Sequence, residues 1–142
     1  MNATHSLIAA CATLVLLTFV VGVRLLQVRV AEMKRKRIHP QAVALSAQRK
    51  DRLEDTRASD NFKHLFETPV LFYALCGVAV GAGNPPEWLA LAAWLYVALR
   101  VIHSLIQCTY NKVMHRFYVF VASFFLLAGM WAGYAIWIIG QA

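Results

Sequence analysis

Four long apolar runs, broken by short polar connections, constrain this chain more than any other feature. They cover residues 7–30, 65–81, 88–107 and 117–139. A helix crosses a bilayer with about 20 apolar residues, or about 17 at the least. All four runs reach that length, though the second is the shortest and carries Glu67. Hydrophobic residues make up 60% of the chain and charged ones 15%, against about 45–50% and about 25% in soluble domains. That balance excludes an ordinary soluble domain. The expectation is an all-α integral membrane protein, a four-transmembrane-helix up-down bundle forming one domain over residues 1–142. The first run reads as an uncleaved helix and not as a signal peptide. Only His5 stands where a basic leader would be, and positive charge follows the run.

Charge sets the expected orientation. The net charge is +7, and nine of the fourteen Lys and Arg lie in residues 31–64. They are Lys34, Arg35, Lys36, Arg37, Arg49, Lys50, Arg52, Arg57 and Lys63. The connection after Gln107 adds Lys112 and Arg116, whereas residues 82–87 and both ends carry no Lys or Arg. The positive-inside rule then makes 31–64 a basic cytoplasmic loop and leaves both termini outside. Such a block also suits nucleic acid. Beside membrane helices it serves as a topology signal that meets anionic lipid headgroups, so membrane lipids and not nucleic acid are the expected contacts. Residues 41–56 are polar and rich in helix formers, which predicts a short helix or an ordered loop. Pro69 falls inside the second apolar run and predicts a kink just beyond Glu67.

Two polar stripes interrupt this apolar frame. Arg57, Asn61, His64 and Glu67 follow steps of four, three and three, so one side of a helix carries them all. Arg100, His103 and Gln107 form a second stripe inside the third run. At about 1.5 Å per residue, Arg100 lies roughly 10 Å inside the leaflet that also holds Glu67, His103 and Arg116. An isolated Arg at mid-helix costs about 2.5–3.5 kcal/mol on the insertion scale. Arg100 is therefore expected to face the bundle with a carboxylate partner, and Glu67 is the acid within the spans. Several Arg with Asn and His suit a ligand bearing carboxylates, which guanidinium forks bind bidentately. An Arg beside a thiol also favours its thiolate. The two membrane His and one Glu lack metal-ligand spacing, so no metal is expected. Cys11, Cys76 and Cys108 form neither a disulfide framework nor a metal motif and read as structural thiols.

These stripes resemble a known family, the membrane-associated proteins in eicosanoid and glutathione metabolism (MAPEG), and its small bacterial members in particular. Arg57-Ala58-Ser59-Asp60-Asn61 is similar to the family's Arg-x-x-x-Asn at the start of helix 2. Arg100-Val101-Ile102-His103, with Arg116 thirteen residues after the His, is similar to its Arg-x-x-His on helix 3 and its Arg opening helix 4. Gln27-Val28-Arg29 is a weaker match at the end of helix 1. The resemblance implies a homotrimer in a bacterial inner membrane, using glutathione as co-substrate against a lipophilic electrophile. Glutathione would lie between subunits. It would be held by Arg57, Asn61 and His103, with Arg29 as a carboxylate contact and Arg116 stabilising the thiolate in the catalytic role. Glu67, Arg100 and Gln107 complete the expected ligand-binding set. Several positions depart from the pattern of the family's enzymes. His64 stands where they carry Glu, with Glu67 one turn later. Gln107 stands in place of a Tyr, and Phe117 and Phe120 stand in place of a Ser and a Tyr. The lost hydroxyls keep a second reading open, a non-catalytic protein of the same fold that binds a lipid or an anionic metabolite.

Overall fold

The computed structural model describes residues 2–39, 41 and 55–141. Most of the polar stretch 41–56, including Arg49, Lys50 and Arg52, lies outside them. Helix α1 spans Ala3–Lys36. The Asn2 side chain caps its start by accepting from the Thr4 N–H at 3.2 Å. Its end is set by Arg37 in the left-handed region (φ 52°), after which the Ile38 N–H returns to the Met33 carbonyl at 2.9 Å. Lys34, Arg35 and Lys36 fill the last turn, where cations complement the helix dipole. At 34 residues the helix is about 51 Å long, against a hydrocarbon core of about 30 Å. It therefore runs well past the apolar stretch 7–30 read from the sequence. Leu7, Ala10, Leu14, Val21 and Leu25 recur at helical spacing and form its buried stripe.

The second crossing is two helices, α2 (Arg57–His64) and α3 (Thr68–Gly81). Residues 65–67 break it, with i→i−3 bonds from Phe66 N–H to Lys63 O and from Glu67 N–H to His64 O. The sequence predicted a kink at an internal proline. In the fold Pro69 sits in the first turn of a new helix, where its missing N–H costs nothing. Gly83, at φ 97°, makes the turn into α4 (Glu87–Cys108). Such an angle strains any residue with a Cβ. The last helix, α5, spans Val113–Ile139.

These helices form four segments long and apolar enough to cross a membrane, with α2 and α3 counted as one. Helix α4 is the central one and packs on α1, α2 and α5. Half of its most apolar window is buried, against 22% for α1 and for α5. Only such an enclosed helix has room for polar side chains out of reach of lipid. The core is apolar away from the basic residues. Phe72 of α3 stacks on Tyr96 of α4, with ring centroids 4.7 Å apart, a geometry worth about 0.5–1.5 kcal/mol beyond burial. Leu7, Leu14, Leu75, Leu89 and Met130 belong to the same buried cluster. Gly22 lets α2 approach α1: a Cβ there would lie 3.2 Å from the Phe62 ring.

Candidate functional site

The polar side chains gather at the end of the bundle that carries the basic residues, around the last two turns of α4. Arg100 is fully buried, as the sequence expected. Its expected partner is absent: among the described residues no carboxylate pairs with it. Glu67 instead points outward, with a side chain 58% exposed, and meets His64 Nδ1 at 2.8 Å. The break at residues 65–67 is the physical reason. A continuous helix would have kept Glu67 on the stripe facing α4. The break turns the acid away and frees the His64 carbonyl, which accepts from Arg100 Nη2 at 3.0 Å. Arg100 Nε and Nη1 have no acceptor among the described residues. Arg100 thus holds α4 to the end of α2 through a backbone dipole.

His103 lies one turn further along α4 and is 2% exposed. Its Nδ1 is 3.3 Å from the Arg116 carbonyl and its Nε2 is 3.0 Å from Gln107 Oε1. A neutral imidazole has one N–H to donate, so two oxygens at once require the charged ring. Turning the Gln107 amide over lets its nitrogen donate to Nε2, while Nδ1–H donates to Arg116. That arrangement also gives a partner to Gln107 Nε2, which otherwise has none. His64 approaches His103 edge-on at 5.9 Å, and Phe120 lies against both rings at 6.4 and 6.1 Å.

Asn61, fully buried, joins α2 to α4: it accepts from Ser104 Oγ at 3.3 Å and donates to Cys108 Sγ at 3.4 Å. Arg116, half-buried at the start of α5, donates from Nη1 to Asn111 Oδ1 at 3.1 Å. Arg29 of α1 donates to Ser59 Oγ at 3.1 Å, next to Ala58, which is buried in α2. Arg57 is exposed. Its Nε and Nη2 grip the two oxygens of Asp55 at 3.0 and 2.8 Å, and its Nη1 donates to the Thr109 carbonyl at 2.7 Å.

The fold therefore brings Asn61, Arg100, His103, Gln107 and Arg116 together through α2, α4 and α5. Arg29 and Arg57 stand at the rim of this group, and Glu67 lies outside it. Sequence reasoning missed Asp55, Ser59, Ser104 and the Thr109 carbonyl. Only Asp55 carried a signal, as an acid just ahead of a helix start. The hydrogen bonds from Arg57 hold the Asp55 carboxyl below its ordinary value of 3.8. A depressed value means the pair is complete above pH 3.8 and is lost as pH falls through the lower folded-state value. A carboxyl-carbon NMR titration is expected to place the Asp55 midpoint below 3.8; a midpoint at or above it contradicts the clamp.

Among the described residues two cavities lie against α1, and neither is lined by Asn61, Arg100, His103, Gln107 or Arg116. A cleft of about 480 Å³ lies between α1 and Asp55, lined by Arg24, Gln27, Glu32 and Arg35. An apolar groove of about 640 Å³ runs between α1 and the second crossing, walled by Phe19, Leu26, Phe62, Phe66 and Tyr73. The described residues hold no group of three or more His, Cys, Asp or Glu placed to bind a metal.

Four membrane-length helices with buried cationic and amide side chains at one end define an integral membrane protein with a polar site inside its bundle. The chain belongs to the MAPEG family, whose profile matches residues 7–136, a stretch containing every polar residue of the site. No curated protein and no solved structure matches the chain.

Proposed function

We propose that this protein is a glutathione-dependent membrane transferase or peroxidase acting on a lipophilic electrophile. The observation that carries the reading is the surplus of buried donors. Among the described residues Arg100 Nε and Nη1 lack acceptors, and each unmet buried donor costs about 1–3 kcal/mol. A ligand rich in carboxylate and carbonyl oxygens answers that surplus, and glutathione is such a ligand. Family membership supports the same choice.

In this reading Arg57, Asn61, His103 and Gln107 hold the peptide, with Arg29 reaching a carboxylate. Glu67, exposed beside His64, meets the ligand's ammonium group. The functional unit is a homotrimer with glutathione between subunits, set in a bacterial inner membrane with the basic end in the cytoplasm and both termini outside. Arg116 stabilises the thiolate. The thiolate attacks an electrophilic carbon delivered from the bilayer, so a carbon–sulfur bond forms as the leaving group departs with its electron pair. The test is conjugation of glutathione to a chromogenic aryl chloride by the purified protein. Arg116→Ala is expected to lower kcat by about 100-fold, the size of losing one preorganised cationic or hydrogen-bonding group. Equal rates for the two proteins would sink the enzymatic reading.

One observation favours a second reading. Phe120 packs against both His64 and His103, so an apolar ring stands beside the site instead of a hydroxyl donor. The protein would then bind an anionic metabolite or a lipid without turnover. Calorimetry separates the two, because tight glutathione binding without conjugation selects the second.

A further inference from the structure

The grip of Asp55 on Arg57 bears on how any ligand enters. An Arg fork presents Nε and one Nη as a matched pair for a carboxylate. In Arg57 that pair is already filled, by Asp55 Oδ1 at 3.0 Å and Oδ2 at 2.8 Å. The third nitrogen is spent on the Thr109 carbonyl. The fork is thus formed and aimed, but occupied by an acid two residues before it in the chain. We infer that Asp55 is a built-in competitor for the Arg57 fork, so that a ligand carboxylate gains Arg57 only by displacing it.

Two further features fit this role. First, the pair is exposed, with side-chain exposures of 44% for Arg57 and 31% for Asp55. Exposed ion pairs are weak and exchange readily. Second, Asp55 has somewhere to go. It lines the cleft of about 480 Å³ beside Arg24, which already acts on it through its charge. Displacement therefore moves the carboxylate from one cation toward another. Asp55 also has a separate structural duty, since its Oδ1 accepts at 3.2 Å from the backbone N–H of Arg57, the first residue of α2, a donor with no partner inside the helix. Asparagine keeps that oxygen and removes the charge, so Asp55→Asn isolates the competition from that bond.

The inference rests on the glutathione reading of the site, and the experiment separates the two. Glutathione binding is measured by calorimetry on the full-length protein in detergent, for the wild type, Asp55→Asn, Arg57→Ala and the double variant. Asp55→Asn is expected to bind about two- to fivefold more tightly, the range an exposed pair is worth. The gain should vanish when Arg57 is also alanine. Equal or weaker binding by Asp55→Asn overturns the inference and leaves the glutathione reading intact. No binding by any of the four overturns the glutathione reading, and labelling of Arg57 by phenylglyoxal then decides the competition. Faster labelling in Asp55→Asn supports a competitor for some other carboxylate; an unchanged rate overturns it.

Discussion

Replacing Arg100 with methionine is expected to raise the unfolding midpoint in detergent by about 2–16 °C, and to weaken glutathione binding at least tenfold. Arg100 is wholly buried, yet among the described residues its only hydrogen bond goes to a backbone carbonyl and no carboxylate forms a salt bridge with it. Exchanging poorly paired buried charge for apolar volume is stabilising by about 1–4 kcal/mol in other proteins, which corresponds to a shift of this size. Methionine follows the same path and adapts to gaps. The His64 carbonyl keeps a second donor in the Glu67 N–H at 3.4 Å. Opposite signs for stability and binding are what a ligand-directed cation produces. A lower midpoint instead makes Arg100 a pin between α4 and α2 and takes it out of the site. Differential scanning fluorimetry and calorimetry on the same samples decide the matter.

Gly22→Leu is expected to destabilise the protein by about 1–3 kcal/mol and to abolish ligand binding. A Cβ at Gly22 would sit 3.2 Å from the Phe62 ring, so a larger side chain pushes α2 off α1. Phe62 immediately follows Asn61 and lies on the same short helix as Arg57 and His64. Moving α2 therefore displaces that wall of the site as a unit. Gly22→Ala should be close to neutral. The alanine gains about 1 kcal/mol of helix propensity and asks the ring to yield only a few tenths of an ångström. Gly129 supplies the control, since nothing lies within 4 Å of its added Cβ. Equal stability loss for leucine at both positions would contradict the role given to the α1–α2 contact.

The four crossings were legible because hydropathy over about 20 residues is a strong, additive signal. Their ends were less so. The first apolar run was drawn to Val30, while the helix itself continues through Ala31–Lys36 in good helix formers. Hydropathy marks where lipid stops and not where the helix does. Pro69 was visible, but not which turn it occupies, and that decided the fate of Glu67. The burial of Arg100 followed from its place in an apolar run. Its partner did not, because a carbonyl freed by a helix break leaves no trace in residue types. The same holds for the Thr109 carbonyl that receives Arg57. Spacing on a helix translates directly into shared faces, which is why Asn61 and His103 could be placed on the inner side, whereas Arg116 opens a different helix and its role came from the family resemblance.

The break at residues 65–67 also governs how the protein meets bilayers of different thickness. A single rigid helix adapts to hydrophobic mismatch by tilting along its whole length, which would sweep its polar end across the bundle. Here the i→i−4 ladder stops at Leu65 and resumes in α3. Helix α2 is held to α1 and α4 through Gly22, Arg29 and Ser104, and α3 packs on α1, on α5 and, through Phe72 against Tyr96, on α4. A joint between the two would let the apolar half tilt with the membrane while the polar wall keeps its register.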